Sequence, residues 1–264
     1  LIGIFSDIQI LKSPNLRFSL QICAVIIFVI LSQTFITSIK IDFVDLMLKN
    51  FLFKFFFTTF CILILINGSN FMDGVNTLAI GYYLLILFFL QNVFLGLGDQ
   101  TIPVHIFNIL VLLLISFFFL NFFNLMYLGD SGAYLISFII GIWLINLSEN
   151  HVLVSPYYIV NLLWYPAYEN LFSIIRKLKN KGSPLQPDNL HLHQLIFKYL
   201  EKKLRNKKII NTLTGCIINL YNFILFYLAT LDYSNTKYQL SLIFMSLLIY
   251  SLLYINLKFY LVKK

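Results

Sequence analysis

Residues 51–74 read FLFKFFFTTFCILILINGSNFMDG, an apolar run that ends in asparagines, glycines and an acid. As a helix, that run is long enough to cross a hydrocarbon core of roughly 30 Å. Backbone polar groups inside lipid must be satisfied within their own segment, so a spanning run of this kind is a helix. Outward from it, apolar stretches of similar length fall at about 16–38, 77–95, 103–122, 133–147, 153–172, 209–231 and 238–260, which with 51–68 makes eight expected spans. Composition agrees. Of 264 residues, 59% are hydrophobic and 11% charged, with 28 Phe and 16 Tyr, whereas soluble domains run at about 25% charged. The expected fold is an all-α polytopic membrane protein, with residues 1–264 forming one integral membrane domain.

The formal net charge of +8 is local, because 10 of the 19 basic residues lie between Arg176 and Lys208. No zinc-finger spacing or basic helix with interleaved aromatics accompanies them, so nucleic acid is not an expected partner. Cys23, Cys61 and Cys216 lie far apart within apolar runs and read as small buried hydrophobes. Eight spans place the segments near 1–15, 67–76, 123–132 and the long basic loop 173–208, with Lys263 and Lys264, on one face. The opposite face holds Lys40, Lys49 and Lys237. The positive-inside bias makes the first face cytoplasmic. Asp7, Asn67, Asn70, Asp73, Asp130, Asp188, His191 and His193 all fall there. Carboxylates at a bilayer edge are costly unless paired, so these four segments predict a site at the cytosolic interface.

Each segment offers its own chemistry beside a plainer structural reading. Asn67, Asn70 and Asp73 recur every three residues and would form a drifting polar stripe on a continuing helix. Gly74 would allow a turn or a close approach, although amides and glycine also end helices ordinarily. In Gly129-Asp130-Ser131-Gly132, an acid flanked by glycine and serine leaves oxygens open to a hard cation, but Asp and Ser are also favoured helix caps. Pro187-Asp188 resembles a helix start with Asp188 as the cap. His191 and His193, two apart, would point to different sides of a helix and suit phosphate hydrogen bonding better than chelation of one metal.

Taken in order, these segments resemble the polyprenyl-phosphate N-acetylhexosamine-1-phosphate transferases, nearer to the undecaprenyl-phosphate GlcNAc-1-phosphate transferases than to the phospho-MurNAc-pentapeptide translocases. The family's aspartate-pair loop corresponds to Gly3-Ile-Phe-Ser6-Asp7, followed by Ser13-Pro14-Asn-Leu-Arg17 and Gln21. Its Asn-x-x-Asn-x-x-Asp-Gly motif is Asn67 to Gly74, its Leu-Gly-Asp-Ser-Gly motif is Leu128 to Gly132, and its histidine loop is Pro187 to His193. Four departures stand out: Ser6 and Asn76 replace aspartates, Thr77 replaces a glycine and Gln194 replaces a histidine. Glu169 stands where the family often has Asp.

The resemblance implies an eleven-span protein whose first three spans precede residue 1. It implies attack of a lipid phosphate on a UDP-amino sugar, with release of UMP, at the cytoplasmic face of a bacterial inner membrane. By motif, Asp7, Asp73 and Asp130 would be catalytic. Asp130 with Asn67 would hold Mg²⁺, or Mn²⁺ in its place. Arg17, Asn67, Asn70, Tyr127, Asp188, His191 and His193 would bind the UDP-amino sugar and the polyprenyl phosphate, Tyr127 standing where the family stacks an aromatic on uracil. A second copy of the chain is a candidate partner. Rival readings are a transporter, which would place paired ionisable groups near the bilayer midplane, and an inactive relative, suggested by Ser6, Asn76 and Gln194.

Overall fold

The computed structural model of the chain describes residues 1–98, 102–179, 181 and 189–262. Among them are eleven helices and no strand: α1 (Ile2–Asp7), α2 (Pro14–Ser32), α3 (Asp42–Leu48), α4 (Phe51–Met72), α5 (Leu78–Leu97), α6 (Val104–Phe122), α7 (Gly129–Asn150), α8 (Pro156–Lys179), α9 (Leu192–Glu201), α10 (Lys207–Leu231) and α11 (Thr236–Val262). Seven of these, α2, α4, α5, α6, α7, α10 and α11, are long and apolar enough to cross a membrane. The protein is an all-α, multi-pass membrane protein. It divides into two compact units, Leu1–Asn70 with Gly129–Gln186 and Phe71–Leu128 with Pro187–Lys264.

In the first unit, Ser13 caps α2 by accepting the Leu16 N–H, with Pro14 in the first turn, where its missing donor costs nothing. The expected span 16–38 ends early. Gln33 turns left-handed at φ 53, and the chain beyond it runs extended, its Ile36 N–H donating to Thr58 on α4 at 2.9 Å. Asn50 caps α4 through the Phe53 N–H. The core gathers Val25, Val29, Phe35, Phe55, Ile62, Ile66 and Ile145, with Phe28 edge-on to Phe138 at 4.7 Å.

Helix α8 has 24 residues, about 36 Å of helix, which is a spanning length. It is more polar than the seven because it carries Asn161, Glu169, Asn170 and Ser173 along its length, and these face inward. All four are buried, while Val160, Leu171, Ile175 and Leu178 are exposed. The Asn170 amide donates to Ile64 O at 3.1 Å. At Gly68 of α4 an added Cβ would lie 2.0 Å from Pro166 O, so only glycine lets the two helices meet there. The described residues of the expected basic loop 173–208 are largely helical: Arg176, Lys177 and Lys179 occupy the last turn of α8, where cations complement the helix dipole, and Leu192–Glu201 form α9.

In the second unit α5 is the most enclosed span. Tyr82, Tyr83, Ile86, Leu87 and Leu90 are fully buried against α10, whose Phe226 ring lies 5.3 Å from Tyr82. Gly215 sets this contact: a Cβ there would fall 2.1 Å from Asn76 O and 2.7 Å from Leu78 N. Helices α10 and α11 form a hairpin held by Gln239, which donates to Ala229 O and Asp232 O at 2.7 and 2.8 Å.

Because the obstructing atoms at Gly215 are backbone, Gly215→Ala should lower stability by about 1–3 kcal/mol, the usual cost of overpacking. Gly96, which has open space around its Cβ position, is the control. Thermal unfolding of the purified protein in detergent should show a lower Tm for Gly215→Ala and an unchanged or slightly raised Tm for Gly96→Ala.

Candidate functional site

In the first unit, α1 lies across the start of α7. An added Cβ at Gly3 would meet Ser131 Cα at 2.3 Å, so the two backbones touch. That contact brings the Asp7 carboxylate to the first turn of α7. Its Oδ1 accepts the Asp130 N–H at 2.8 Å, and its Oδ2 accepts the Ser131 N–H at 3.1 Å and the Ser131 hydroxyl at 2.6 Å. Asp7 thus caps the start of α7 from another helix. Gly129 makes room by entering the helix at φ 69, a conformation that favours glycine, and a Cβ on it would lie 2.9 Å from Asp7 Oδ2. Burial, the largest single influence on Asp7, raises its pKa. The Ser131 and Asp130 hydrogen bonds and the nearby Arg17 outweigh it and hold the carboxyl below the ordinary value.

The next residue points its side chain the other way. Asp130 Oδ2 accepts Arg17 Nη1 at 2.7 Å, the Ser6 hydroxyl and the Tyr134 hydroxyl at 3.3 Å. Arg17 also donates to Ser6 Oγ at 2.6 Å. Ser6, which replaces a carboxylate of the family pattern, therefore bridges a cation and an anion. The structure joins Ser6, Asp7, Arg17, Asp130 and Ser131 and adds Tyr134, which the sequence did not single out. The signal for Tyr134 was its i, i+4 spacing from Asp130.

Asn67 and Asn70 lie three apart on α4, also in this unit, both half-buried. Asn67 gives its amide N–H to Leu63 O at 2.9 Å, which leaves its side-chain carbonyl as a donor atom for a cation. No group of three His, Cys, Asp or Glu forms a ready cage among the described residues. Magnesium needs only one or two carboxylates, with phosphate oxygens completing the shell. The oxygens of Asp130 and Asn67 fit that requirement in kind, Asp130 Oδ1 being the oxygen not engaged by Arg17 among the described residues.

In the second unit, half-buried Asp73 follows the last turn of α4, and Gly74 lies against the histidine segment. A Cβ at Gly74 would sit 2.7 Å from His193 Nε2. Both histidines are buried. Their rings stack at 5.5 Å with 9° between planes, and His191 meets the Phe71 ring at 4.9 Å. This corrects the expectation that the two imidazoles diverge: His191 stands before α9 in extended conformation (ψ 152), so helical spacing does not govern it. The described α9 begins with His191 as its cap residue, and Gln194 accepts the His191 N–H at 3.1 Å as half of a capping box. Asp188, the expected cap and substrate contact, lies outside the described residues.

The other two departures share one network. Asn76, buried, donates its amide to Asn121 O at 2.8 Å and Asn124 Oδ1 at 3.0 Å. Its N–H donates to Asn211 at 3.2 Å. Thr77 stands at φ 66, left-handed, a conformation that favours glycine. Its N–H donates to Asn121 Oδ1 at 2.5 Å, and its hydroxyl reaches Thr212 O at 3.1 Å. Beside this network opens a cavity of about 510 Å³ whose walls include Gly74, Asn124, Tyr127, Gln194, Lys207 and Asn211. Tyr127 is 69% exposed, so its ring is available for stacking.

A multi-pass membrane protein with an acid–arginine cluster where a helix begins is the class that fold and site define. A sequence model of glycosyl transferase family 4 matches residues 1–148, and the chain belongs to that family. It is 30% identical over 154 residues to a decaprenyl-phosphate N-acetylglucosaminephosphotransferase of Mycolicibacterium smegmatis, covering 51% of this chain and 38% of the relative. It is 26% identical over 135 residues to a probable undecaprenyl-phosphate N-acetylglucosaminyl 1-phosphate transferase of Bacillus subtilis, covering 50% and 37%. It is 24% identical over 194 residues to the undecaprenyl-phosphate alpha-N-acetylglucosaminyl 1-phosphate transferase of Escherichia coli K12, covering 70% and 52%. The chain thus spans about half or less of the length of these curated relatives. No solved structure matches.

Two outcomes test the geometry. The lowered pKa of Asp7 means that its contribution to stability is present above the ordinary carboxylate pKa, about 3.9, and is lost as pH falls through the lower folded value. Asp7→Asn should therefore unfold at a lower temperature than wild type at pH 7, with the gap closing as the pH drops below 4. Asn76→Asp would set a buried carboxylate against two acceptors and remove two donated hydrogen bonds. A loss of about 1–3 kcal/mol should appear as a reduced Tm, and an unchanged Tm would show that the Asn76 amide does not hold the network.

Proposed function

We propose that the chain serves an enzyme that transfers an N-acetylhexosamine 1-phosphate from a UDP-sugar to a polyprenyl phosphate. The reaction would release UMP and start a cell-surface glycan at the cytoplasmic face of a bacterial inner membrane. The observation that carries this reading is the Arg17–Asp130 pair, held at the α7 N-terminus by Asp7 and bridged by Ser6. Phosphoryl transfer is mostly positioning and charge neutralisation, and this cluster offers a cation for phosphate oxygens beside an acid for a metal.

The acceptor's phosphate oxygen bonds to the β-phosphorus of the donor as the bond to the UMP oxygen breaks. A phosphate monoester has a second pKa of about 6 and is largely dianionic at pH 7, so Ser6 in place of an acid removes no required base. The Arg17 guanidinium, now on Asp130 and Ser6, can present a fork of N–H donors to phosphate oxygens. Its movement would release Asp130 Oδ2. Asp130 and Asn67 would hold Mg²⁺, which would neutralise charge on the diphosphate. In the second unit the Tyr127 ring would stack on uracil, with Asn124 and Asn211 hydrogen bonding its edge, and Lys207, now paired with Glu201 at 2.9 Å, would have to leave that pair to meet phosphate. Asp73, His191 and His193, also in the second unit, would offer polar groups to the sugar phosphate, and Asn70 would do so from the first unit.

A transporter reading is less favoured, because Asp7, Arg17 and Asp130 cluster where α7 begins rather than mid-span, where coupled ion sites belong. The deciding measurement is UMP release from a panel of UDP-sugars by the full-length protein in lipid. A UDP-N-acetylhexosamine should turn over, EDTA should stop it, and Asp130→Ala should reduce turnover by at least about a hundredfold. An Asp130→Ala enzyme close to wild type would refute the role given to that carboxylate.

A further inference from the structure

Next to the Tyr127 cavity, and sharing Lys198 and Glu201 with it, a second cavity of about 450 Å³ opens where α9 packs against α10 and the end of α11. Leu190, Leu195 and Leu261 supply apolar wall, while Lys198, Lys202 and Lys258 bring ammonium groups to it. Its acid, Glu201, is already paired with Lys207 at 2.9 Å, so the cavity keeps an excess of positive charge. Two tyrosines brace the lysine stems: the Lys202 ammonium lies 5.0 Å from the Tyr260 ring and Lys203 4.5 Å from Tyr199, and the two rings meet at 5.3 Å. Lys258 and Tyr260 sit in the last turns of α11, one of the seven membrane-length helices. Tyrosine and lysine at a span end mark the level of the lipid headgroups.

We propose that this cavity binds the headgroup of an anionic phospholipid, the phosphate meeting Lys202 and Lys258 and an acyl chain lying on the leucines. Lysines beside a membrane surface attract anionic lipid strongly enough to matter. A zwitterionic headgroup brings no net charge to offset the cavity's lysines, and a free phosphate ion would leave the apolar wall unused. The site shares neither Asp130 nor Arg17 with the transfer reaction and stands independently of the proposed activity.

The test is native mass spectrometry of the full-length protein titrated in detergent with phosphatidylglycerol or phosphatidylcholine of matched chains. Wild type should prefer phosphatidylglycerol, and Lys202→Gln with Lys258→Gln should weaken that binding by about fivefold per lysine removed. Lys202→Arg with Lys258→Arg should keep it, which separates lost charge from lost folding, and Asp130→Ala should keep it too, which separates this site from the acceptor's. Three outcomes would overturn the proposal: equal retention of the two lipids by wild type, equal loss in the Gln and Arg pairs, or displacement of the lipid by millimolar inorganic phosphate.

Discussion

Much of what the first unit can do depends on one carboxylate borrowed from another helix. The first turn of α7 presents N–H groups, and Asp7 on α1 receives two of them together with the Ser131 hydroxyl. An anion at a helix N-terminus is favoured both by the orphan donors and by the aligned peptide dipoles. With the backbone of Asp130 fixed in this way, its side chain turns toward Arg17 and Ser6. Two adjacent acids thus have separate duties. The first is engaged by backbone donors, and the second by the Arg17 guanidinium and the Ser6 hydroxyl.

The departures from the family pattern acquire physical reasons when seen in place. Ser6 donates to one side and accepts from the other, which an ionised carboxylate there could not do beside Asp130. Asn76 uses the two hydrogens that an aspartate would lack. Gln194 completes a helix cap. Thr77 retains a backbone shape suited to glycine, with its N–H and hydroxyl bonded to Asn121 and Thr212. Each substitution is matched by its neighbours, as expected of a chain that has settled into its own consistent set of polar contacts.

The helical membrane fold was legible because a hydrocarbon solvent leaves few alternatives, and runs such as 103–122 and 238–260 announce themselves by length. Ends of helices were less legible. Gln33 stops α2 through a left-handed turn that no proline or glycine signals, and α7 starts at the Gly129 motif rather than after it, because its cap comes from residue 7. The pairing of Asp130 with Arg17 was also hidden. Motif order suggested that both bind phosphate or metal, but only the fold, which brings the first turn of α2 to the start of α7, shows them in contact. The stacked histidines were misread because helical spacing was applied to a residue that precedes the helix.

The inward polarity of α8 bears on how the chain is built into a membrane. An insertion machinery that samples each segment against lipid meets Asn161, Glu169 and Asn170 before their burial is complete, and an acid at the centre of a lone helix costs about 2.5–3.5 kcal/mol. Such a segment gains its place from companions already present, here Ile64 of α4 for the Asn170 amide and the glycine at 68 against Pro166. The partners that receive these polar and close-packed positions of α8 thus lie on α4, which precedes it in the chain.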